Sequence, residues 1–388
     1  MNLEAIQNEL KKQKLDGWLF FDHHVRDALG YRVLGFKPTR HVTRRWYYFI
    51  PVEGEPAGLV HNIESAILDP VPGKKARYSS WQQQIDGLRA LLNGRRKVAM
   101  QYSPLCAVPV VSMVDAGTVE LVRSVGVEVV SSADLIQYFE ARWSEAALES
   151  HMEAGRRVDQ ARRRAFEMIG ARVRDGAPVS EYDVANFIRS EFERTGLITT
   201  DGPIVAVNAH ASDPHFEPPP QGSAPIRSGD LVLIDMWAKL NTAGSVYYDI
   251  TWTGVCGEPT EEMRRVFAVV RDARNRAVER VQQAVASHAD IRGFEVDDAA
   301  RGYIREQGFG DYFVHRTGHS IGEDVHGTGA NMDNLETHDE RRLIPWTCFS
   351  VEPGVYLPAF GVRSEVNVFV GDNDARVTGE MQKELVAI

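Results

Sequence analysis

Leu231-Val232-Leu233-Ile234-Asp235-Met236-Trp237 sets a carboxylate directly behind four apolar residues, and Val246-Tyr247-Tyr248-Asp249-Ile250-Thr251-Trp252 sets a second among aromatic and β-branched ones. Runs of this length and composition read as strands, and a charge inside one is costly to bury without a partner. Two more stretches share the oddity. Phe349-Ser350-Val351-Glu352-Pro353-Gly354-Val355-Tyr356 and Gly361-Val362-Arg363-Ser364-Glu365-Val366-Asn367-Val368 each carry a glutamate in strand-like surroundings. Taken singly, such a residue marks a bulge, an edge or a structural ion pair. Four together ask for cations. Arg363 could neutralise one at most and no buried lysine lies nearby in sequence, so divalent metal is the preferred solution.

A histidine cluster stands between the two carboxylate pairs: His315-Arg316-Thr317-Gly318-His319-Ser320-Ile321-Gly322-Glu323-Asp324-Val325-His326-Gly327. His315 and His319 are four apart, yet Gly318 and Gly322 argue against a helix, and glutamate is absent from the position it takes in HExxH. One imidazole with four carboxylates is an oxygen-rich set. It suits a pair of divalent ions such as manganese, cobalt or zinc better than a thiolate-held structural zinc.

Around this half the chain is an ordinary globular one. Its 388 residues, 43% hydrophobic and 25% charged, leave room for two or three domains and exclude wholesale disorder. Lys plus Arg number 44 against 54 Asp plus Glu, a formal net charge of −10, which argues against a dedicated binder of nucleic acid or anionic membrane. Cys106, Cys256 and Cys348 are an odd, scattered set that signals neither a disulfide framework nor a zinc knuckle and fits a reducing cytoplasm. Cys256 and Cys348, in apolar strands, read as small core residues. The amphipathic start around Leu3, Ile6 and Leu10 is not a signal peptide, and no run approaches the ~18 apolar residues of a membrane helix.

Residues 1–142 alternate short helices and strands (Leu3 to Gln13, Trp18 to Phe21, Trp46 to Pro51, Ala57 to Val60, Val98 to Met100, Val127 to Val130), the rhythm of an α/β layer without chemistry of its own. Ser144 then opens a helical pattern to about Arg174, which marks the boundary of a second domain over 143–388. Ser180 with Asp183 caps a following helix, and Thr260 caps one to about Ala286. Strands are expected at Ile204 to Val207, Leu231 to Ala238, Ser245 to Gly254, Phe349 to Tyr356 and Glu365 to Val370.

The ordered set Asp235, Asp249, Gly318-His319, Val351-Glu352-Pro353-Gly354 and Val362-Arg363-Ser364-Glu365 resembles the metal-dependent pita-bread peptidases: methionine aminopeptidase, aminopeptidase P and prolidase. The likeness covers about residues 150–388, and the preceding region resembles the creatinase-type N-terminal domain of prolidase and aminopeptidase P. It implies an α+β catalytic domain behind a smaller α/β domain. By resemblance, Asp235 is a ligand of one ion, Asp249 and Glu365 bridge two, and His319 with Glu352 ligate the other. Manganese is the first choice of metal, with cobalt or zinc the others. His315, His326 and Glu352 would be catalytic, the histidines contacting substrate and tetrahedral intermediate, and Glu352 joining proton transfer. His215 would close the substrate pocket, and Arg363, with His338 and Arg342, would help hold a substrate carboxylate. His215 beside Pro214 reads equally well as a turn residue, and His338 more simply as a solvated loop histidine. His315 and His326 also have a plainer reading as satisfied histidines in a glycine-rich loop.

Proline has no N–H and its ring blocks extended binding, so an Xaa-Pro bond needs a dedicated enzyme. The resemblance implies hydrolysis of that bond in dipeptides by a metal-bridged hydroxide, in a cytoplasmic enzyme that forms a homodimer. The alternatives are an Xaa-Pro aminopeptidase acting on longer peptides and a non-catalytic peptidase-like binding protein, whose mark would be a lost ligand. Three positions depart from the family pattern: thirteen residues separate Asp235 from Asp249, a few more than usual; Trp252 stands where arginine is common; and Ser320 stands where glycine is common.

Overall fold

Aromatic and β-branched residues favour strands, and those of the first 140 residues build a single mixed sheet. The computed structural model describes residues 1–38 and 41–388. Its chain divides into two compact units, Met1–Glu140 and Ala141–Ile388. In the first unit β1 (Gly17–Asp22), β2 (Trp46–Pro51), β3 (Ala57–His61), β4 (Lys74–Tyr78), β5 (Lys97–Met100) and β6 (Glu128–Ser131) lie in the order β4-β3-β2-β1-β5-β6. Successive side chains of a strand point to opposite faces. Trp18, Phe20, Trp46, Tyr48 and Ile50 accordingly enter one core, while Leu19, Phe21, Tyr47 and Phe49 enter another on the opposite side. Capping is local and legible: Asn2 accepts from Ala5 N at the start of Leu3–Lys12, and Ser80 with Gln83 forms a capping box on Trp81–Leu91.

The second unit opens on the helix Glu145–Arg174, capped by Ser144, and continues with Glu181–Thr195, capped by Ser180 and Asp183. Two further helices, Glu261–Ala286 behind Thr260 and Gly293–Glu306, follow later in the chain. Between them run β7 (Leu197–Ile198), β8 (Ile204–Val207), β9 (Leu231–Leu240) and β10 (Tyr248–Val255). After them come β11 (Ser320–Ile321), β12 (Thr347–Val351), β13 (Gly354–Tyr356), β14 (Gly361–Arg363), β15 (Val366–Val370), β16 (Ala375–Val377) and β17 (Val386–Ala387). One sheet runs β17-β10-β9-β7 with β8 also on β9; a second runs β11-β12-β15-β16; β13 and β14 pair alone.

Alternation along β9 divides the core again. Val232, Ile234, Met236 and Ala238 pack toward the core that contains Ala161, Ile169, Val184 and Ile188 of the first two helices. Leu231 and Leu233 join the core of Val270, Ala277, Val296 and Ala300 from the other two. Asp235 shares the parity of the second set. Two expected strands need correcting. Phe349 to Tyr356 is broken at Glu352-Pro353, because proline cannot donate to a ladder, and the strand expected from Ser245 starts at Tyr248. Among the described residues no helix is long and apolar enough to cross a membrane.

Candidate metal centre

The antiparallel register of β9 and β10 places Asp235 opposite Thr251 and Trp237 opposite Asp249. Opposed residues, and those two apart, share a face, so Asp235, Trp237, Asp249 and Thr251 all project the same way. Asn367 of β15 ties the second sheet to that edge, its Oδ1 accepting from Asp249 N at 3.2 Å while its amide donates to Asp249 O. Glu365 N donates to Thr251 O at 3.1 Å. These bonds bring Glu352 and Glu365 from one sheet to the acidic face of the other.

His319 arrives on the loop before β11. Gly318 is needed for space: a Cβ there would lie 1.9 Å from Ser350 O. The chain is pinned on both sides of it, His319 N donating to Ser350 Oγ at 3.0 Å and Ser350 N to His319 O at 2.9 Å. Nδ1 of His319 faces Ser320 O at 3.1 Å, and because a carbonyl only accepts, Nδ1 carries the proton. Nε2 is thereby left with a lone pair that faces Asp249 Oδ2 and Glu352 Oε1 at 3.5 and 3.4 Å, acceptor against acceptors, an arrangement that a cation between them would satisfy. From the helix Gly293–Glu306, Asp297 accepts from Thr317 N at 2.9 Å and Arg301 donates to His315 O at 2.7 Å, which fixes the whole histidine loop.

One ligand atom each from Asp249, His319 and Glu365 lies within 4.8 Å of the others. Asp235 and Glu352 line the same cleft, about 620 Å³ in volume, with His215, Trp237, His315, Arg316, His326 and Arg363. Asp235 Oδ1, Asp249 Oδ1 and Glu365 Oε1 are buried and without a hydrogen-bond partner. Orphaned buried acceptors are rare and costly, and three carboxylate oxygens beside a free imidazole nitrogen are the donor set a divalent ion takes. The residues fit a metal centre.

Charge tells the same story. Burial pushes the Asp235 carboxyl up to about 7 against the pull of Arg363, and burial followed by neighbouring carboxylates drives Asp249 and Glu365 well above the usual range. Glu352 goes the other way: burial would raise it, but His319 and His315, which charge only in acid, and Arg363 hold it low. Burial takes His315 and His326 down to about 4, so both are neutral at pH 7.

The remaining candidates separate. Both ring nitrogens of His315 are engaged, Nδ1 donating to Arg316 O at 2.7 Å and Nε2 accepting from the Tyr356 hydroxyl at 2.6 Å. His326 stacks edge-on to His319, and its nitrogens have no hydrogen bond to any described residue. His215 lines the cleft and is exposed. Arg363 is buried and largely committed: it binds Asp235, Thr251 Oγ1 at 2.9 Å, Tyr356 Oη at 3.1 Å and Pro214 O at 3.4 Å, so four of the five N–H groups of a guanidinium already have protein partners. His338 is absent from the cleft lining, resting on Phe294 and bonded to Asn334 at 2.8 Å, while Arg342 pairs with Asp290 at 3.0 Å. The two departures in residue type have local answers. Ser320 Oγ lies 2.9 Å from where a Cβ of Gly327 would stand and 2.6 Å from one of Gly329, so glycines elsewhere make room for it. Trp252 lies under the Arg162 guanidinium, 3.4 Å from its ring centroid, a cation supplied from a helix. Tyr356 and Thr251, which join Arg363 to His315 and Glu365, escaped sequence reasoning because neither residue type signals chemistry alone.

Comparison with known proteins places these residues in context. Metallopeptidase family M24 matches residues 149–372. An Xaa-Pro dipeptidase of Pyrococcus furiosus is 36% identical over 162 residues, 42% of this chain and 43% of that protein, so the match spans less than half of the relative. A probable dipeptidase PepE of Mycobacterium tuberculosis is 28% identical over 346 residues, 87% of this chain and 84% of that one. Among solved structures, a recombinant prolidase from Thermococcus sibiricus superposes with a TM-score of 0.64 at 24% identity, covering 100% of this chain and 98% of its own.

Proposed function

This chain belongs to metallopeptidase family M24, and from that premise we propose that it is an Xaa-Pro dipeptidase of the cytoplasm with a dinuclear centre. The observation that carries the reading is the trio of orphaned carboxylate oxygens beside the free Nε2 of His319. Asp235, Asp249, His319, Glu352 and Glu365 would hold two divalent ions, manganese first among them. Bound there, such ions supply Lewis acidity and lower the pKa of a water molecule to near neutrality.

The chain's own groups do the rest. Glu352, ionised and steadied by Ser350 Oγ at 3.1 Å, accepts the proton that the attacking water releases and returns it to the prolyl nitrogen as the C–N bond breaks. His326, neutral and with its ring in the cleft, donates N–H to the carbonyl oxygen as negative charge develops there. His315 works as a fixed wall, its one proton committed to a backbone carbonyl, and Arg363 holds Asp235 and Tyr356 in place. Trp237 and His215 bound the space for the two residues of the substrate. The first unit supplies none of these groups.

The test is separation of the products of Ala-Pro (alanine and proline) and of Ala-Pro-Ala-Ala (alanine and Pro-Ala-Ala), using chelator-treated protein with and without Mn²⁺. Cleavage of the dipeptide on metal addition, with the tetrapeptide spared, is expected. Cleavage of the tetrapeptide at Ala-Pro would move the assignment to an aminopeptidase, and silence on both with every divalent ion would remove the enzymatic reading.

A further inference from the structure

A dipeptide differs from the start of a longer peptide in one chemical respect, the free carboxylate on its second residue, and resting on the function proposed above, we propose that Arg316 is the residue that recognises it. Arg316 sits inside the histidine loop, three residues before His319. Its backbone is pinned at both ends, N–H donating to Glu336 Oε1 at 3.0 Å and C=O accepting from His315 Nδ1 at 2.7 Å. The side chain is half-buried and lines the cleft.

Among the described residues, Arg316 and Arg363 are the only arginines or lysines in that lining. Arg363 is already bonded to Asp235, Thr251, Tyr356 and Pro214, which take four of its five N–H groups. The Arg316 guanidinium has no hydrogen bond or ion pair to any described residue. This is despite four exposed carboxylates in the same lining, those of Asp201, Asp213, Glu217 and Glu336. Three of the four spend an oxygen elsewhere: Asp201 on Trp237 Nε1 at 3.0 Å, Asp213 on His215 N at 3.0 Å, and Glu336 on the Arg316 backbone.

A guanidinium placed only to balance these acids would pair with one. A half-desolvated fork of five donors held open toward a cleft is a receptor for a planar anion, and it grips a carboxylate through two parallel hydrogen bonds. The carboxylate that every small peptide brings is its C-terminal one. In a tetrapeptide the same position holds an uncharged amide, and the charge-assisted bond is lost. Arg316 therefore sets the length of the substrate, while the metal-binding side chains set the reaction.

The experiment compares Ala-Pro with Ala-prolinamide in wild type, Arg316→Gln and Arg316→Lys. The expected wild-type preference for the free acid is about 10- to 100-fold in kcat/KM, the range a hydrogen bond to a charged group commands. Arg316→Gln should bring the two substrates within about 3-fold through a rise in KM for the acid, with kcat nearly unchanged, and Arg316→Lys should keep part of the preference. A second readout needs no turnover: calorimetric titration of chelator-treated protein with the same two compounds, where wild type should favour the acid and Arg316→Gln should not. An unchanged acid-to-amide ratio in Arg316→Gln overturns the proposal, as does equal binding, or none, of both compounds by metal-free wild type. So would faster cleavage of Asp-prolinamide than of Ala-prolinamide, which would put the recognised carboxylate on the first residue. Failure of wild type to cleave any Xaa-Pro compound would instead fall on the proposed function, and the titration would still judge Arg316.

Discussion

Replacing Gly318 by alanine adds one methyl group at the tightest point of the metal centre. The new Cβ would stand 1.9 Å from Ser350 O, 2.7 Å from Ser350 C and 3.1 Å from Ser350 Oγ. A carbon meets a carbonyl oxygen at about 3.3 Å in folded proteins, so the loop must retreat from β12 by about 1.4 Å. Ser350 is backbone here and cannot swing aside. The retreat lengthens the 3.0 Å bond from His319 N to Ser350 Oγ and the 2.9 Å bond from Ser350 N to His319 O. At about 1 kcal/mol for each bond and about 1–3 kcal/mol of overpacking strain, the cost is about 3–5 kcal/mol. The imidazole moves with its backbone, and a displacement near 1 Å costs about 10²-fold in rate. Gly318 lies outside the left-handed region, so the effect is purely one of space and Gly318→Ser should behave alike. The assay is a denaturant midpoint, a calorimetric Mn²⁺ titration and Ala-Pro turnover on the same preparation. Turnover and metal affinity within about 3-fold of wild type, at an unchanged midpoint, would refute the reasoning.

Three other outcomes are expected. Asp249→Asn should lower hydrolysis by more than about 10²-fold while circular dichroism stays that of the wild type; wild-type turnover would remove the dimetal assignment. Thr251→Val keeps the shape but strips the hydroxyl that donates to Glu365 Oε2 at 2.8 Å and accepts from Arg363 Nε at 2.9 Å; metal affinity should fall about 10- to 100-fold, and stability by about 1–3 kcal/mol, both read by calorimetry. In the first unit, burial lifts the Asp27 carboxyl from 3.8 to about 7, although Gly30 N and Gln101 Nε2 donate to it at 2.8 and 2.6 Å. A raised folded-state value favours the protonated form, so this stabilisation is complete below about pH 4 and gone above about pH 7, a swing of about 4 kcal/mol. Asp27→Asn should flatten the dependence of the unfolding midpoint between about pH 4 and 7, and equal slopes in the two proteins would count against it.

Much of the site was legible because burial of charge is visible in one dimension. Asp235 and Asp249 announce themselves by their apolar neighbours, and capping residues such as Ser144, Ser180 and Thr260 mark helix starts through short-range chemistry. What escaped was long-range. Arg363 looked available for substrate because nothing in the sequence says that Asp235, 128 residues away, will occupy it. Arg316 drew no reading from the sequence for the converse reason: a missing partner is a property of three dimensions. His315 carried a catalytic expectation that Tyr356, 41 positions on, modifies by engaging its Nε2. The strand β4 was missed because its Lys74-Lys75-Ala76-Arg77-Tyr78 is largely exposed and carries no apolar alternation.

The two sheets of the second unit meet through Asn367, whose amide grips both the N–H and the C=O of Asp249. A side-chain amide here takes the place of a neighbouring strand, and it joins segments 118 residues apart. During folding β8, β9 and β10 can pair with nearby sequence, as can β12, β15 and β16, but the acidic face and the imidazole come together only after this long loop has been shut, an entropically expensive event. Capture of a metal ion is therefore a clock for the final docking step: in a refolding reaction, the rate at which the centre acquires affinity should report the meeting of the sheets rather than the formation of either one.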